Sequence, residues 1–151
     1  MQIDERAMFE WRRFSDFSAA LIYEVLAFRQ AIFVVEQRCP YPDLDGLDGR
    51  ANHLLLRVDG ELAGYLRLIP YPAKARVAIG RVAVAAQLRR HGLARLLMAE
   101  ALDRCRRDHP DCTVILSAQT YLAPFYESLG FHATSAPFDD WGLRHVEMAL
   151  R

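Results

Sequence analysis

A glycine-containing turn between a strand-like segment and a helix-like segment constrains this chain more than any other feature. Apolar residues alternate from Val77 to Val84, whereas those after Gly92 repeat at the spacing of an amphipathic helix. Between the two lies Arg89-Arg90-His91-Gly92-Leu93-Ala94. Small residues at a helix start leave its first N–H groups accessible, and the helix dipole favours an anion there. The segment therefore predicts a site for a phosphate-bearing ligand, with an ordinary turn carrying solvated arginines as the alternative.

Length, charge and cysteine content restrict the class of protein. With 151 residues, of which 52% are hydrophobic, we expect one buried core and a single domain over residues 1–151. The 19 basic and 19 acidic residues cancel, which argues against nucleic acid as the main partner. Three cysteines without C-x-x-C spacing favour a reducing, cytoplasmic location. Because no apolar run approaches the ~20 residues of a membrane span, and no signal peptide is evident, we expect a soluble protein without membrane partners.

Apolar periodicity and turn signals predict an ordered series of strands and helices. Strands are expected over 9–14, 53–58, 62–69, 76–84, 113–118, 131–134 and 144–150. Helices are expected from a Ser18 cap to about Glu36, from Leu93 through Cys105, and from Ala123 to Leu129.

The connections between these segments support a mixed sheet. Asp59-Gly60 predicts a tight hairpin, residues 38–52 form the longest predicted loop, and a second loop holding Pro137 and Gly142 precedes the last strand. The element order predicts an α/β (mixed α+β) fold, with one sheet of about seven strands and helices on both faces.

Two separated motifs give the chain a family resemblance. Arg89, Gly92 and Ala94 fit the pattern Arg/Gln-x-x-Gly-x-Gly/Ala, and residues 125–131 read Phe-Tyr-Glu-Ser-Leu-Gly-Phe. In these motifs the chain resembles the GNAT (GCN5-related N-acetyltransferase) superfamily, in which the first motif binds the pyrophosphate of acetyl-CoA. Residues 33–37, 39–41 and 45–46 further resemble the ElaA-type branch. The resemblance covers nearly the whole chain and implies the GNAT fold, a twisted and mostly antiparallel sheet.

The resemblance also implies acetyl-CoA as cosubstrate, without a metal. The strand around Val82 would separate from the strand at Leu116 and leave a cleft for the thioester. Backbone groups of that strand would contact the pantetheine arm, and N–H groups from Arg90 to Ala94 would hold the pyrophosphate. The residues assigned to acetyl-CoA in this way are Val82, Ala83, Val84, Arg89, Arg90, His91, Gly92, Leu93, Ala94, Arg95 and Gln119.

Tyr126 is the predicted general acid, because the second motif carries the family's tyrosine. With reference pKa values near 10 for tyrosine and 8.5 for a thiol, the proton transfer is uphill by about 2 kcal/mol. A dry cleft narrows the pKa difference between the tyrosine and the thiol, since burial raises the basicity of a developing thiolate. The alternative is a tyrosine that only packs between Phe125 and Leu129.

The general base is the open part of the prediction. Many GNAT proteins place a carboxylate on the fourth strand, where this chain has Gly80 and Arg81. Glu36 or His53 could act instead through a water, although each could equally be structural. Deprotonating a lysine-like amine at pH 7 costs about 4.6 kcal/mol, against about 1.4 for an α-amine. The reaction needs a neutral amine, and the other possibility is therefore a weakly basic acceptor, which costs little to deprotonate.

Several charged residues allow two interpretations. The long loop carries three aspartates, Asp43, Asp45 and Asp48. With Glu36 they could form an acidic rim that attracts a cationic amine, or they could simply be solvated. Their spacing lacks the ligands of a calcium loop. Three arginines within apolar segments must be paired or must face the cleft, where they could bind an acidic substrate group: Arg29, Arg67 and Arg81.

The expected activity is direct transfer of an acetyl group from acetyl-CoA to a small-molecule or peptide amine, as an acyltransferase of the EC 2.3.1 class. We expect no covalent enzyme intermediate, because none of Cys39, Cys105 and Cys112 is placed for one. The alternatives are a catalytically silent acyl-CoA-binding or regulatory module and a transferase that uses longer acyl-CoAs. Monomer and homodimer both stay open.

Overall fold

Eight strands form one sheet in the computed structural model, which describes residues 2–150. The strands are β1 (Ala7–Arg13), β2 (Asn52–Val58), β3 (Glu61–Tyr71), β4 (Arg76–Val84), β5 (Thr113–Gln119), β6 (Phe131–Ala133), β7 (Phe138–Asp140) and β8 (Leu143–Leu150). The helices are α1 (Ala19–Gln30), α2 (Leu93–Asp108) and α3 (Ala123–Glu127). The spatial order is β1-β2-β3-β4-β5-β8-β6, and β7 pairs with the other end of β8.

The predicted mixed, mostly antiparallel sheet is confirmed, with two corrections. Every described pair of neighbouring strands is antiparallel except β4 with β5. The prediction of an unbroken loop before the last strand is wrong, because β7 lies within it. β3 also runs past its predicted end, through Pro70. That proline lies beyond Leu68, the last residue of β3 that pairs with β2, so its missing N–H removes no bond to that strand.

Helices cover both faces of the sheet, as the sequence predicts. Leu54 and Leu56 of β2 belong to the core shared with α2 and α3, whereas Leu55 packs with Val25 of α1. This alternation is the period-2 pattern of a strand buried on both sides. Each such side chain contributes about 1.5–3 kcal/mol when fully buried. No helix within residues 2–150 has the length and apolar character needed to cross a membrane.

Local signals explain where the helices and turns begin. The Ser18 hydroxyl accepts a hydrogen bond from the Leu21 N–H at 3.1 Å and starts α1. Asp59 and Gly60 both have positive φ, 53° and 83°, as a two-residue hairpin requires. Beyond Gln30, α1 continues as a π-helix over Ala31–Glu36, which agrees with the predicted helix end at about Glu36. π-Helical turns are often found at functional sites.

A buried network of arginines and aspartates joins the long loop to the sheet. The Arg29 side chain is 0% exposed; its Nε donates to Asp43 Oδ2 at 3.0 Å and its Nη1 to Asp48 Oδ1 at 2.8 Å. Arg67 donates to Asp48 Oδ1 at 2.8 Å and also pairs with Asp45. Of the two alternatives for the arginines, pairing holds for Arg29 and Arg67, whereas Arg81 is paired with Asp43 and also lines a cavity. The acidic rim and the solvated loop are both wrong for these aspartates, because each is held by arginines.

This network makes the free energy of unfolding depend on pH. Burial alone would raise the pKa of Asp45, but hydrogen bonds from Arg67 and from the Leu47 N–H, with the charges of Arg67 and Arg81, lower it to about 2. A carboxylate whose pKa is lower in the folded state stabilises the fold above its unfolded pKa, near 3.9. We expect about 2 kcal/mol of stability to be lost as the pH falls from about 5 to about 2.

Urea midpoints measured between pH 7 and pH 3 test this dependence. Asp45→Asn should be less stable than the wild type at pH 7 and should show a shallower fall in acid. Equal acid slopes for the two proteins would contradict the assignment to Asp45.

Candidate active site

A cavity opens where β4 and β5 separate. The two strands pair over only three residue pairs, from Arg76 with Thr113 to Ala78 with Ile115. Beyond these pairs lies a cavity of about 120 Å³, lined by residues 79–82 of β4 and 116–119 of β5. The predicted separation of the strand at Val82 from the strand at Leu116 is therefore present in the structure.

A β-bulge in β4 directs Arg81 to this cavity. Arg67 pairs with Gly80, and Tyr65 pairs with Ala83. Between these two pairs β3 has one residue and β4 has two, which defines the bulge. Arg81 takes a φ of 54°, which is uncommon for a residue with a side chain. Its Nε donates to Asp43 Oδ1 at 2.8 Å, and its guanidinium lies 4.8 Å from the centre of the Tyr41 ring. The bulge thus connects the cavity wall to the buried network.

The predicted anion-binding turn carries accessible N–H groups. Arg90 and Gly92 have φ values of 67° and 79°, and Gly92 directly precedes α2. Within residues 2–150, the N–H groups of residues 90–95 have no hydrogen-bond acceptor, whereas the Leu96 N–H donates to the Gly92 carbonyl. A Cβ at Gly92 would meet no atom within 4 Å, so no protein group packs directly against this side of Gly92. These are the properties of a site for an anion.

Arg89 is bound from two sides. Its Nε donates to the Val84 carbonyl at 3.1 Å, and Nη1 and Nη2 donate to the Glu36 carboxylate at 2.6 and 2.9 Å. The Glu36 bond and charge raise the pKa of Arg89. Both side chains are about 40% exposed, and such ion pairs contribute about 1 kcal/mol or less. An incoming phosphate could therefore compete with Glu36 at small cost.

Val84 does not line the cavity, and its carbonyl is bound by Arg89. The other residues assigned to acetyl-CoA fall into three groups. Val82 and Gln119 line the cavity. The side chains of Ala83 and Leu93 are buried, so only their backbones could contact a ligand. The third group lies on or beside the start of α2: His91, Ala94 and Arg95. Arg95 Nη2 donates to Ser128 Oγ at 3.1 Å and so connects α2 to the segment that carries Tyr126.

Tyr126 lies in the wall of the cavity. It is 7% exposed, and its ring makes edge contacts with Phe125 and Phe131. Burial, with a smaller effect of Tyr121, raises its pKa to about 12. The hydroxyl makes no hydrogen bond to any residue from 2 to 150. A protonated phenol without a protein partner is therefore available to a ligand in the cavity.

Neither predicted base lines the cavity. Glu36 holds Arg89, and His53 is 0% exposed on the α1 face of the sheet. The Tyr65 hydroxyl lies 2.6 Å from His53 Nδ1, and His53 Nε2 lies 2.9 Å from the Asp48 carbonyl. Since that carbonyl only accepts, Nε2 carries the proton and Nδ1 accepts from Tyr65. Both ring nitrogens are thus occupied by hydrogen bonds within the protein. Burial also lowers the pKa of His53, which favours the neutral ring.

Several cavity residues were not assigned to the site from the sequence, and five of them, outside β4 and β5, carry polar or aromatic side chains. They are Phe33, Gln37, Tyr41, Asp140 and His145. The π-helix and the residues after it supply the first three, and the β7–β8 hairpin supplies the other two. Phe33, Gln37 and Tyr41 all lie in segments that resemble the ElaA-type branch, and this resemblance was the signal in the sequence that could have pointed to them.

Comparison with known proteins identifies the family. Residues 24–151 match the family model described as acetyltransferase (GNAT) domain. This chain belongs to the GNAT family of acetyltransferases. Protein ElaA of Escherichia coli K12 is 38% identical over 147 residues, which cover 94% of this GNAT chain and 96% of ElaA. The predicted family and its ElaA-type branch are confirmed.

Solved structures agree with this GNAT assignment. An acyl-CoA N-acyltransferase from Pseudomonas aeruginosa is 35% identical with a TM-score of 0.90, over 96% of this chain and 99% of the other. The crystal structure of E. coli ElaA gives a TM-score of 0.87 over 95% and 100% of the two chains. A GNAT family acetyltransferase from Elizabethkingia anophelis with acetyl-CoA bound shares the fold at 12% identity, with a TM-score of 0.67 over 97% and 98%.

Proposed function

We propose that this GNAT protein transfers the acetyl group of acetyl-CoA directly to an amine. One observation carries the proposal: β4 and β5 separate around a cavity whose wall includes Tyr126, and the chain beyond β4 leads to the start of α2, where the N–H groups of residues 90–95 have no acceptor within residues 2–150. A pyrophosphate on those groups and a thioester in the gap would share one extended ligand. The cytoplasm is the proposed location, since Cys39, Cys105 and Cys112 are free thiols.

Acetyl-CoA fits the residues that would hold it. Six consecutive N–H groups at a helix start suit a diphosphate, and Arg89 adds a cation that can bind phosphate through two N–H groups. The cavity of about 120 Å³ between β4 and β5 would take the acyl end of the ligand, and acetyl is the acyl group that the matching family model names. We propose no metal; within residues 2–150 no cluster of three or more His, Cys, Asp or Glu could hold one.

The chemistry needs a neutral amine and a stabilised leaving sulfur. The amine nitrogen attacks the thioester carbonyl carbon, and Tyr126 donates a hydrogen bond to the sulfur as the carbon–sulfur bond breaks. A covalent cysteine intermediate is disfavoured, because none of the three cysteines lines the cavity. Burial also raises the pKa of Cys105 to about 11, which keeps that thiol protonated.

Thiol release from acetyl-CoA over a panel of amines tests the proposal. We expect saturable release with one class of amine, weakly basic amines being the least costly to deprotonate. Tight binding of acetyl-CoA without turnover over the whole panel would instead indicate a silent acyl-CoA-binding module. Parallel assays with longer acyl-CoAs test the acyl chain, and faster turnover with these would contradict the choice of acetyl.

Arg89→Ala should raise KM for acetyl-CoA about tenfold and change kcat by less than about threefold. A hydrogen bond to a charged group contributes about 1.5–3 kcal/mol, and competition from Glu36 places the effect at the low end. Steady-state kinetics at fixed ionic strength measures both constants. Arg106→Ala is the control, since Arg106 pairs with Asp103 on the exposed surface of α2. An unchanged KM in Arg89→Ala would contradict the phosphate contact.

A further inference from the structure

His145 lines the cavity, and one of its ring nitrogens has no hydrogen-bond partner within residues 2–150. Its Nδ1 lies 2.9 Å from the Leu143 carbonyl oxygen, and a carbonyl only accepts hydrogen bonds. The proton of the neutral ring is therefore on Nδ1, and Nε2 carries the lone pair. Within residues 2–150, Nε2 has no hydrogen-bond partner. The side chain is half-buried and lines the same cavity as Tyr126.

Two strands hold this ring in place. His145 pairs with Gln119 at the end of β5 and with Phe138 on β7. The Phe138 and His145 rings stack with centroids 6.1 Å apart and an angle of 28° between their planes. A ring fixed by one hydrogen bond and one stacking contact keeps its lone pair in a defined direction, as a general base requires.

We infer that His145 is the general base that accepts the proton of the amine, an inference that rests on the proposed function. As the nitrogen–carbon bond forms, the amine proton passes to His145 Nε2. The carbon–sulfur bond breaks with its electron pair on sulfur, and a hydrogen bond from the Tyr126 hydroxyl stabilises the thiolate that forms. The thiolate then takes a proton from solvent, and solvent takes the proton from His145. The products are the acetylated amine and the free thiol.

The other cavity groups serve this role less well. The titratable and charged side chains in the lining besides His145 are Tyr41, Arg81, Tyr126 and Asp140. Arg81 is a cation held by Asp43, and burial raises the pKa of both Tyr41 and Tyr126. Imidazole is a stronger base than a carboxylate, so His145 suits proton removal better than Asp140. An Asp140 carboxylate at the same cavity would instead attract a cationic amine and stabilise an imidazolium.

His145→Asn tests the role with a readout besides rate. The asparagine N–H can still donate to the Leu143 carbonyl, but the acceptor corresponding to Nε2 is lost. We expect kcat/KM for the amine to fall about 100-fold, acetyl-CoA affinity to stay within twofold, and the acid limb of the wild-type pH–rate profile to disappear. Added imidazole should restore part of the rate. His109→Asn, beyond the end of α2, is the control and should keep both rate and profile.

The tautomer provides a test that needs no turnover. Long-range proton–nitrogen NMR spectra of the wild-type protein should show the neutral His145 ring protonated at Nδ1. A proton on Nε2, or a His145→Asn variant with full rate and an unchanged acid limb, would overturn the assignment of the base alone. A wild-type protein that binds acetyl-CoA but releases no thiol with any amine would overturn the proposed function and this role together.

Discussion

Tyr126→Phe is expected to lower kcat with acetyl-CoA by about 10²- to 10³-fold, with KM for acetyl-CoA within about twofold. Because the pKa of Tyr126 is raised to about 12, complete proton transfer to a thiolate of pKa near 8.5 would cost about 5 kcal/mol. The main contribution is therefore a hydrogen bond that strengthens as charge develops on sulfur in a dry cavity. Removing one such donor typically costs 10²–10³ in rate. Steady-state kinetics of thiol release separates kcat from KM.

Two further measurements make the Tyr126 prediction specific. Tyr23→Phe removes a hydroxyl from a tyrosine that is 78% exposed on α1 and should leave kcat unchanged. The wild-type rate should show no loss due to Tyr126 up to about pH 10, since its phenol stays protonated there. Wild-type kcat in Tyr126→Phe would mean that this side chain only packs against Phe125 and Phe131.

Features set by neighbouring residues could be predicted from the sequence. The Asp59-Gly60 turn, the Ser18 cap and the start of α2 after Gly92 are all encoded within a few positions of the chain. Apolar periodicity also predicted the buried faces, because a strand with helices on both sides has few polar residues. The accessible N–H groups of the anion-binding turn depend on the same local geometry.

β7 was not predicted, because its short hairpin with β8 turns at a residue that does not favour a turn. Its hairpin turns at Trp141 and Gly142, where Trp141 takes a φ of 55°. A bulky residue rarely adopts that conformation, so the local sequence does not favour a turn. Pairing with β8 and a bond from Cys39 Sγ to the Trp141 carbonyl, at 3.3 Å, support it instead. Because β7 pairs with β8 at His145, missing this hairpin also hid the candidate base.

The pairing partners of the buried arginines also could not be predicted from the sequence. Burial rules require that arginines in apolar segments be paired, but they do not say with which residue. Arg29 and Arg81 meet at Asp43, which lies 14 and 38 positions away from them along the chain. Only the packing of α1 and the bulged β4 against the long loop brings these groups together. The loop was predicted to be an acidic rim or simply solvated, but its aspartates instead bind arginines, including Arg81 in the cavity wall.

Arg29→Met should destabilise the protein by about 3–5 kcal/mol. Arg29 is fully buried and bonds to Asp43 and Asp48, so a methionine of similar length removes the charge and leaves two buried carboxylates with fewer donors. Loss of one partner from a buried ion pair typically costs this much, because the remaining charge is poorly solvated. Urea unfolding at pH 7 measures the free-energy change. Arg57→Met is the control and should lose about 1 kcal/mol or less, since Arg57 pairs with Glu24 near the surface.

The double variant Arg29→Met/Asp48→Asn separates lost charge from lost packing. If the unpaired carboxylate causes the destabilisation, neutralising Asp48 in the Arg29→Met background should recover part of the loss, giving a coupling energy of about 1–3 kcal/mol. Asp48→Asn alone should be destabilising, because it leaves Arg29 with Asp43 as its only carboxylate. Additive losses in the double variant, or an Arg29→Met protein no less stable than Arg57→Met, would mean that the network contributes through shape and not through charge.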